Sequence, residues 1–493
     1  MSENVNTAEP PEMPLVADRL ADFSDRLSPM LVKELRQGLR AKTFVIVFLT
    51  LQGLLALVLL TSIASAEAPQ NAGEAITSII FMFFGVAVLV IQPIRGIGAL
   101  HREVQGQTIE LMVLTRLSAW KIVLGKWVSI VSQSALIFAA IVPYLILRYW
   151  FGDMNLFGEL SLLCLVFLGS TVITAIIVGI SCVPSVILRG LVPLIAAAFG
   201  LWAIPLLCFE GEFDELVTLA AMQSPESFWG VVLGVLCAVY IGWTALGVGA
   251  AMIAPAAENH SSVRRLLTLG LMLLLVAVSG ITSVPVEGWV IVIALVLIPS
   301  LIIEMTEPLV LLPPVCRPFV EKGALGKIAG RFLYPGWPCG VLFSLVMIGL
   351  AGLSCHFAGI STMPTSGQTV VTSLLGSLLM PAAVMSFFDK RIKHRLSLYL
   401  LLLSTNAIVT IVLAVLVNEL PADSRGFMAW LAWLPQSGFI MVNYPMKFSP
   451  VSLLIWMSIA TAAYTVILLV TALIKTRCIA EVEREAEDME VSS

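Results

Sequence analysis

Twelve runs of apolar residues, each long enough to cross a bilayer, set the limits on what this chain can fold into. They fall at about 44–63, 76–97, 122–147, 160–181, 191–209, 228–253, 266–284, 289–305, 338–356, 369–388, 396–417 and 450–474. A helix needs about 20 apolar residues to cross the hydrocarbon core. No water reaches backbone amides and carbonyls there, so each run must close its own hydrogen bonds as a helix. Only 12% of the 493 residues are charged, against about 25% in soluble domains. The runs predict an all-α polytopic membrane protein with about twelve transmembrane helices.

Charge placement predicts the orientation. With the N-terminus inside, all but three of the 28 Lys and Arg residues fall on the cytoplasmic side; the exceptions are Arg148, Arg425 and Lys447. Cytoplasmic loops carry such an excess, so both termini are expected in the cytoplasm. Residues 1–27 are polar, acidic and proline-bearing, without a secretory signal pattern, and read as a disordered cytoplasmic lead. Residues 479–493 carry six acids against Arg484 and read as a solvated acidic tail.

Several chemistries are excluded. No Gly-x4-Gly-Lys-Ser/Thr loop occurs, since Gly326-Lys327 is followed by Ile328. The chain cannot cradle ATP phosphates by that route. There is no HExxH and no Gly-x-Ser-x-Gly, and eight cysteines and four histidines show no ligand spacing. No catalytic, cofactor-binding or metal residue is expected, and no nucleic-acid partner. The middle third of every run lacks Asp, Glu, Lys, Arg and His, which argues against a proton- or sodium-coupled carrier. Gln52, Gln92, Gln133 and Asn406 are expected to make helix–helix hydrogen bonds, and Pro93 after Gln92 to bend its helix.

Two polar stretches flank the first runs. The loop 98–121 contains His101-Arg-Glu-Val-Gln-Gly-Gln-Thr-Ile-Glu-Leu-Met-Val-Leu-Thr115, then Arg116-Leu-Ser-Ala-Trp-Lys-Ile-Val-Leu-Gly-Lys126. At helical spacing Ile109, Met112 and Val113 share a face with Glu110 beside them, and Glu103 and Gln107 fall at i, i+4. Such a helix either docks a soluble partner or lies on lipid headgroups. Upstream, residues 28–43 open with Ser28 as N-cap and Pro29 at the first helical position. Met30, Leu31, Leu35 and Leu39 make an apolar stripe, and Lys33, Arg36, Arg40 and Lys42 suit anionic headgroups.

Both stretches resemble the type-2 ABC transporter permease family, over roughly residues 28–250. The carrying residues are Arg102-Glu103, Gly106, Thr108, Glu110-Leu111 and Leu114-Thr115, with Lys33-Glu34-Leu35-Arg36 in the elbow helix. This chain has His101 where that family usually has Glu, and Arg116 where it usually has Pro. The resemblance implies a six-span permease domain over 44–254, whose loop 98–121 grips a separate ATP-binding cassette ATPase. It further implies an exporter subunit of the bacterial inner membrane that is not itself an enzyme. Short re-entrant helices between spans 5 and 6 are also implied, and Phe213, Leu216, Val217 and Ala220 offer an apolar face for one. The other reading is an ATP-independent carrier, or a scaffold subunit of a membrane complex.

The loop order of spans 1–6 recurs in spans 7–12, with long inner loops at 98–121 and 306–337. Six plus six in one orientation is the mark of a parallel repeat. Residues 255–478 then read either as a degenerate second permease domain or as six accessory spans. In the first case Glu321, Lys322, Lys327 and Arg331 face a second ATPase. In the second, two permease chains pair.

Overall fold

The computed structural model describes residues 29–64, 69–101, 118–149, 155–209, 213–255, 258–388, 392, 394–419, 434 and 450–491. Helix is the only regular structure among them, and twelve helices are long and apolar enough to cross a membrane. Spans 1–6 are Lys42–Thr61, Ile76–Ile94, Ala119–Leu147, Leu156–Ile180, Ile187–Phe209 and Pro225–Ile253. Spans 7–12 are Ser261–Val278, Val286–Thr306, Trp337–Phe357, Thr365–Phe387, Arg395–Leu413 and Val451–Asp488. Every run expected from the sequence has its helix. Ile46, Leu60, Phe199, Trp202 and Ile411 are each more than half exposed, and such apolar belts need lipid to cover them. The chain is a multi-pass membrane protein.

Two spans are locally rewound, each for the same reason. Val86–Ile91 and Ile187–Leu191 are π-helical. Pro93 and Pro193 follow them, so the carbonyls four residues back, of Leu89 and Arg189, lie inside the π segments. Proline lacks an amide hydrogen and its ring crowds that carbonyl. A π turn moves the carbonyl out of the way without breaking the helix. The strain expected at Pro93 is thus taken up upstream of it.

The six-plus-six order reappears in the packing. Spans 4 and 6 make the most extensive pair of the first half, and spans 10 and 12 that of the second. Spans 2 and 3, 3 and 6, 2 and 5, and 1 and 3 also pair, as do 8 and 9, 9 and 12, 8 and 11, and 7 and 9. The fifth span of each half is its most exposed: 11% of the apolar window of span 5 is buried and 6% of that of span 11. One departure stands out, since spans 3 and 4 pack together while 9 and 10 do not to a like degree. Spans 4 and 6 approach through glycine. A Cβ on Gly179 would collide with the Ala245 carbonyl, and one on Gly249 would lie 3.0 Å from Gly179 Cα.

The halves join where span 6 meets spans 7 and 8. Leu233, Cys237 and Tyr240 share a core with Met272, Leu275, Trp289 and Phe343. The Tyr240 and Thr268 hydroxyls lie 3.1 Å apart, and the Trp289 indole donates to Ser354 Oγ at 2.9 Å. Between spans 5 and 6, Phe213–Ala220 forms a short helix. Phe213, Val217 and Ala220 are buried and Leu216 is exposed.

The last helix corrects one expectation. It runs unbroken from Pro450 to Val491, about 63 Å at ~1.5 Å per residue. Residues 479–491 are therefore not a fully solvated tail, since Ile479, Glu483 and Ala486 are buried. They pack on the helix Pro313–Val320, and reach the helix Gly323–Leu333 through ion pairs, in the segment between spans 8 and 9. Lys327 pairs with Glu487, and Arg331 lies 3.9 Å from Glu483. Those two cations thus reach an acidic face of the chain's own C-terminal helix. Glu321 pairs locally with Arg317 at 3.1 Å.

Candidate coupling site

Arg102, Glu103, Gly106, Thr108, Glu110, Leu111, Leu114 and Thr115 lie outside the described residues. The two stems on either side of them are described. After span 2 the chain turns at Gly96, whose close approach to Ile177 and Val178 leaves little room for a side chain, and at Gly98, with φ +70°. Leu100 then inserts fully buried, its amide donating to Ser181 Oγ at 3.3 Å. The returning stem buries Ala119, Ile122 and Val123. Both stems sit in one core with Val178 and Cys182 of the span 4 end and Leu246 and Ala250 of span 6. A load applied to 102–117 therefore bears on spans 3, 4 and 6 together. Interiors pack densely enough to transmit such a load.

Beside this core runs a polar chain joining three elements. The elbow helix Pro29–Leu39 packs along span 3. Glu34 Oε1 lies 2.7 Å from Lys126 Nζ, and Ser129 Oγ donates to the Glu34 carbonyl at 2.9 Å. A Cβ at Gly38 would collide with the Gln133 side chain, so glycine sets the approach. Gln133 Nε2 donates to the Ser129 carbonyl at 3.0 Å and its Oε1 accepts from Arg95. Arg95 Nη1 also donates to Gln92 Oε1 at 3.0 Å. Burial lowers the Arg95 pKa, but arginine stays protonated at any physiological pH. The chain Glu34–Ser129–Gln133–Arg95–Gln92 thus links the elbow to the π segment of span 2 through span 3. Of the elbow residues, Lys33 and Arg36 are exposed and Leu35 is half-buried.

At the head of the segment, His101 has a pKa below the ordinary histidine value. Burial is the larger cause and the nearby Arg189 cation the second.

The stems of 306–337 are tied by different chemistry. Arg265, fully buried, pairs with Glu304 and with Glu307 Oε2 at 2.7 Å, and donates to the carbonyls of Phe332 and Tyr334 at 3.0 and 2.5 Å. Arg264 reaches Glu304 at 3.1 Å and Glu307 at 3.2 Å. The Gly336 amide donates to Glu307 Oε2 at 3.0 Å. One four-charge cluster closes both ends of this segment. Sequence reading counted Arg264 and Arg265 only as cytoplasmic charge, because their acids lie some forty positions downstream and no local pattern marks them.

No family model, curated protein or solved structure matches this chain. Among the described residues no group of His, Cys, Asp and Glu is placed to hold a metal.

Proposed function

We propose that this chain is the permease subunit of an ATP-binding cassette transporter, working as an exporter in a bacterial inner membrane. A separate cytoplasmic ATPase docks on residues 102–117 and drives it. The observation that carries the reading is the joint burial of both stems, Leu100 and Ala119, in one core with spans 4 and 6. A loop built only to rest on headgroups needs no such anchoring in three spans. The wording of 101–126, read above as a family resemblance, supplies the partner. Glu103 and Glu110 make its polar contacts; Leu111 and Leu114 make the apolar one.

Both termini then lie in the cytoplasm, as the basic-residue bias requires. Spans 1–6 and 7–12 are two copies of one six-span unit, which the matched span pairs support. One chain supplies both halves of the pathway.

The test is co-purification with a cassette ATPase encoded beside the gene. Glu110→Lys and Leu114→Asp are each expected to weaken association by about tenfold or more, as reversing an interface charge or burying one in an apolar contact costs ~2–5 kcal/mol. Undiminished association in both variants rejects the docking site. Native mass measurement of the complex reads the stoichiometry. One permease with two ATPases supports the internal repeat; two with two returns the chain to a homodimer with accessory spans.

A further inference from the structure

Between the halves, at the end that holds the four-charge cluster, lies a half-open cavity of about 560 Å³. Its volume falls in the range of small-molecule sites. Its two walls differ. The first-half wall is uncharged, built from Val183 after span 4 and Val248, Ala251 and Met252 of span 6. The second-half wall is polar, with Arg264, His394, Arg395 and Ser397.

Donor and acceptor accounting on the polar wall points one way. Its buried carboxylate is already satisfied. Glu307 receives Arg264, Arg265, Ser261 and the Gly336 amide. Glu258, at the mouth, takes the His260 ring at 2.9 Å. The Ser261 and Thr306 hydroxyls donate inward, to Glu307 and to the Ile302 carbonyl. Donors remain. Arg264 spends Nε and Nη2 on carboxylates, and its Nη1 makes no hydrogen bond among the described residues. The His394 ring and Ser397 hydroxyl make none among them either. Arg395, stacked 4.8 Å over the Trp337 ring, and Ser397 sit in the first turn of span 11. Backbone amides there lack intrahelical partners. A wall with unspent donors beside a satisfied carboxylate fits an oxyanion, and the facing apolar wall fits a hydrocarbon chain.

We propose that this cavity binds one amphiphile with an oxyanion head, a phosphate-bearing lipid of the surrounding membrane. The head lies between Arg264, His394 and Ser397, and the chain runs along Val183, Val248, Ala251 and Met252. Basic crevices between spans hold such heads in this way. The proposal uses only the cavity and stands or falls apart from the permease reading.

The experiment is native mass spectrometry of the full chain in detergent. Phosphatidic acid and phosphatidylcholine of equal chain length compete, and a separate arm contains inorganic phosphate alone. One phosphatidic acid per chain is expected, favoured several-fold over phosphatidylcholine. His394→Ala/Ser397→Ala is expected to reduce the adduct by about fivefold, as loss of hydrogen bonds to a charged group implies. Met252→Trp, which fills the opposite wall from an exposed position, is expected to reduce it without touching the head contacts. Unchanged adducts in both variants overturn the proposal. So does equal retention of the two lipids, or capture of inorganic phosphate without lipid preference.

Discussion

Glu34 and Lys126, 92 positions apart, meet at 2.7 Å where the elbow helix crosses the start of span 3. Both side chains are largely buried. The pair fixes the elbow against the element whose first turn anchors the returning stem of 102–117. Elbow and span 3 are therefore tied at this corner. Lys126→Met is expected to destabilise this corner by about 1–2 kcal/mol, since it strands Glu34 in a poorly hydrated site. Glu34→Gln/Lys126→Met is expected to recover part of that loss. A double-mutant cycle on the thermal midpoint in detergent checks it, and strictly additive effects would deny the coupling.

The four-charge cluster is expected to be far more sensitive. Arg265 carries contacts to two carboxylates and three backbone carbonyls from full burial. Arg265→Leu leaves Arg264 as the one cation beside two buried acids and is expected to cost about 3–5 kcal/mol. Folded yield after size-exclusion chromatography reads this directly. The exposed Arg317→Leu, which breaks only a pair to Glu321, is expected to cost under about 0.5 kcal/mol.

Acid is expected to loosen the same cluster. Burial alone would raise the Glu307 pKa, but Arg264 and Arg265 outweigh it and hold it below the ordinary carboxylate value. Its folded pKa is thus depressed. Its contribution is complete above the unfolded value and is lost as pH falls through the folded one. The thermal midpoint is expected to stay level down to about pH 5 and to drop below about pH 4, with Glu307→Gln lower at neutral pH and flatter across that window. Identical pH profiles for parent and variant would remove Glu307 from the account.

What the sequence made legible, and what it hid, follows the range of the interactions. The spans were legible because hydrocarbon imposes its length requirement residue by residue, inside one window. The elbow was legible as cap plus stripe and Glu34 as part of its wording, yet the ion pair of Glu34 was not, since its partner Lys126 lies two spans away. Arg264 and Arg265 look like ordinary flanking charge until Glu304 and Glu307 fold back to them. The acidic run after Ile479 read as solvated because its six acids outnumber Arg484, the one basic residue within it; Lys327 and Arg331 meet it only through the tertiary fold. Gln92 and Gln133 were marked as polar residues in apolar runs, but Arg95 linking them was not.

That acidic run gives the final prediction. Ile479, Val482 and Ala486 pack with Cys316, Val320 and Tyr334 in one small core. Lys327–Glu487 flanks it, but both groups are over a third exposed, so the ion pair contributes little and the apolar seam holds the helix. Cys316 is fully buried there, and burial first, then Glu483, pushes its thiol up to about 11. A thiol so placed is slow to form the reactive thiolate. Cys478, one residue before the seam, is exposed and serves as an internal reference. With a water-soluble maleimide at pH 7.5, Cys478 is expected to label readily and Cys316 not at all. Ile479→Asp places a charge in the seam, and together with deletion of 480–493 is expected to bring Cys316 labelling close to that of Cys478. Lys327→Glu alone is expected to change it little. Peptide mass spectrometry resolves the two sites. Equal Cys316 labelling in parent and Ile479→Asp would show that the C-terminal helix does not close over this segment in the membrane protein.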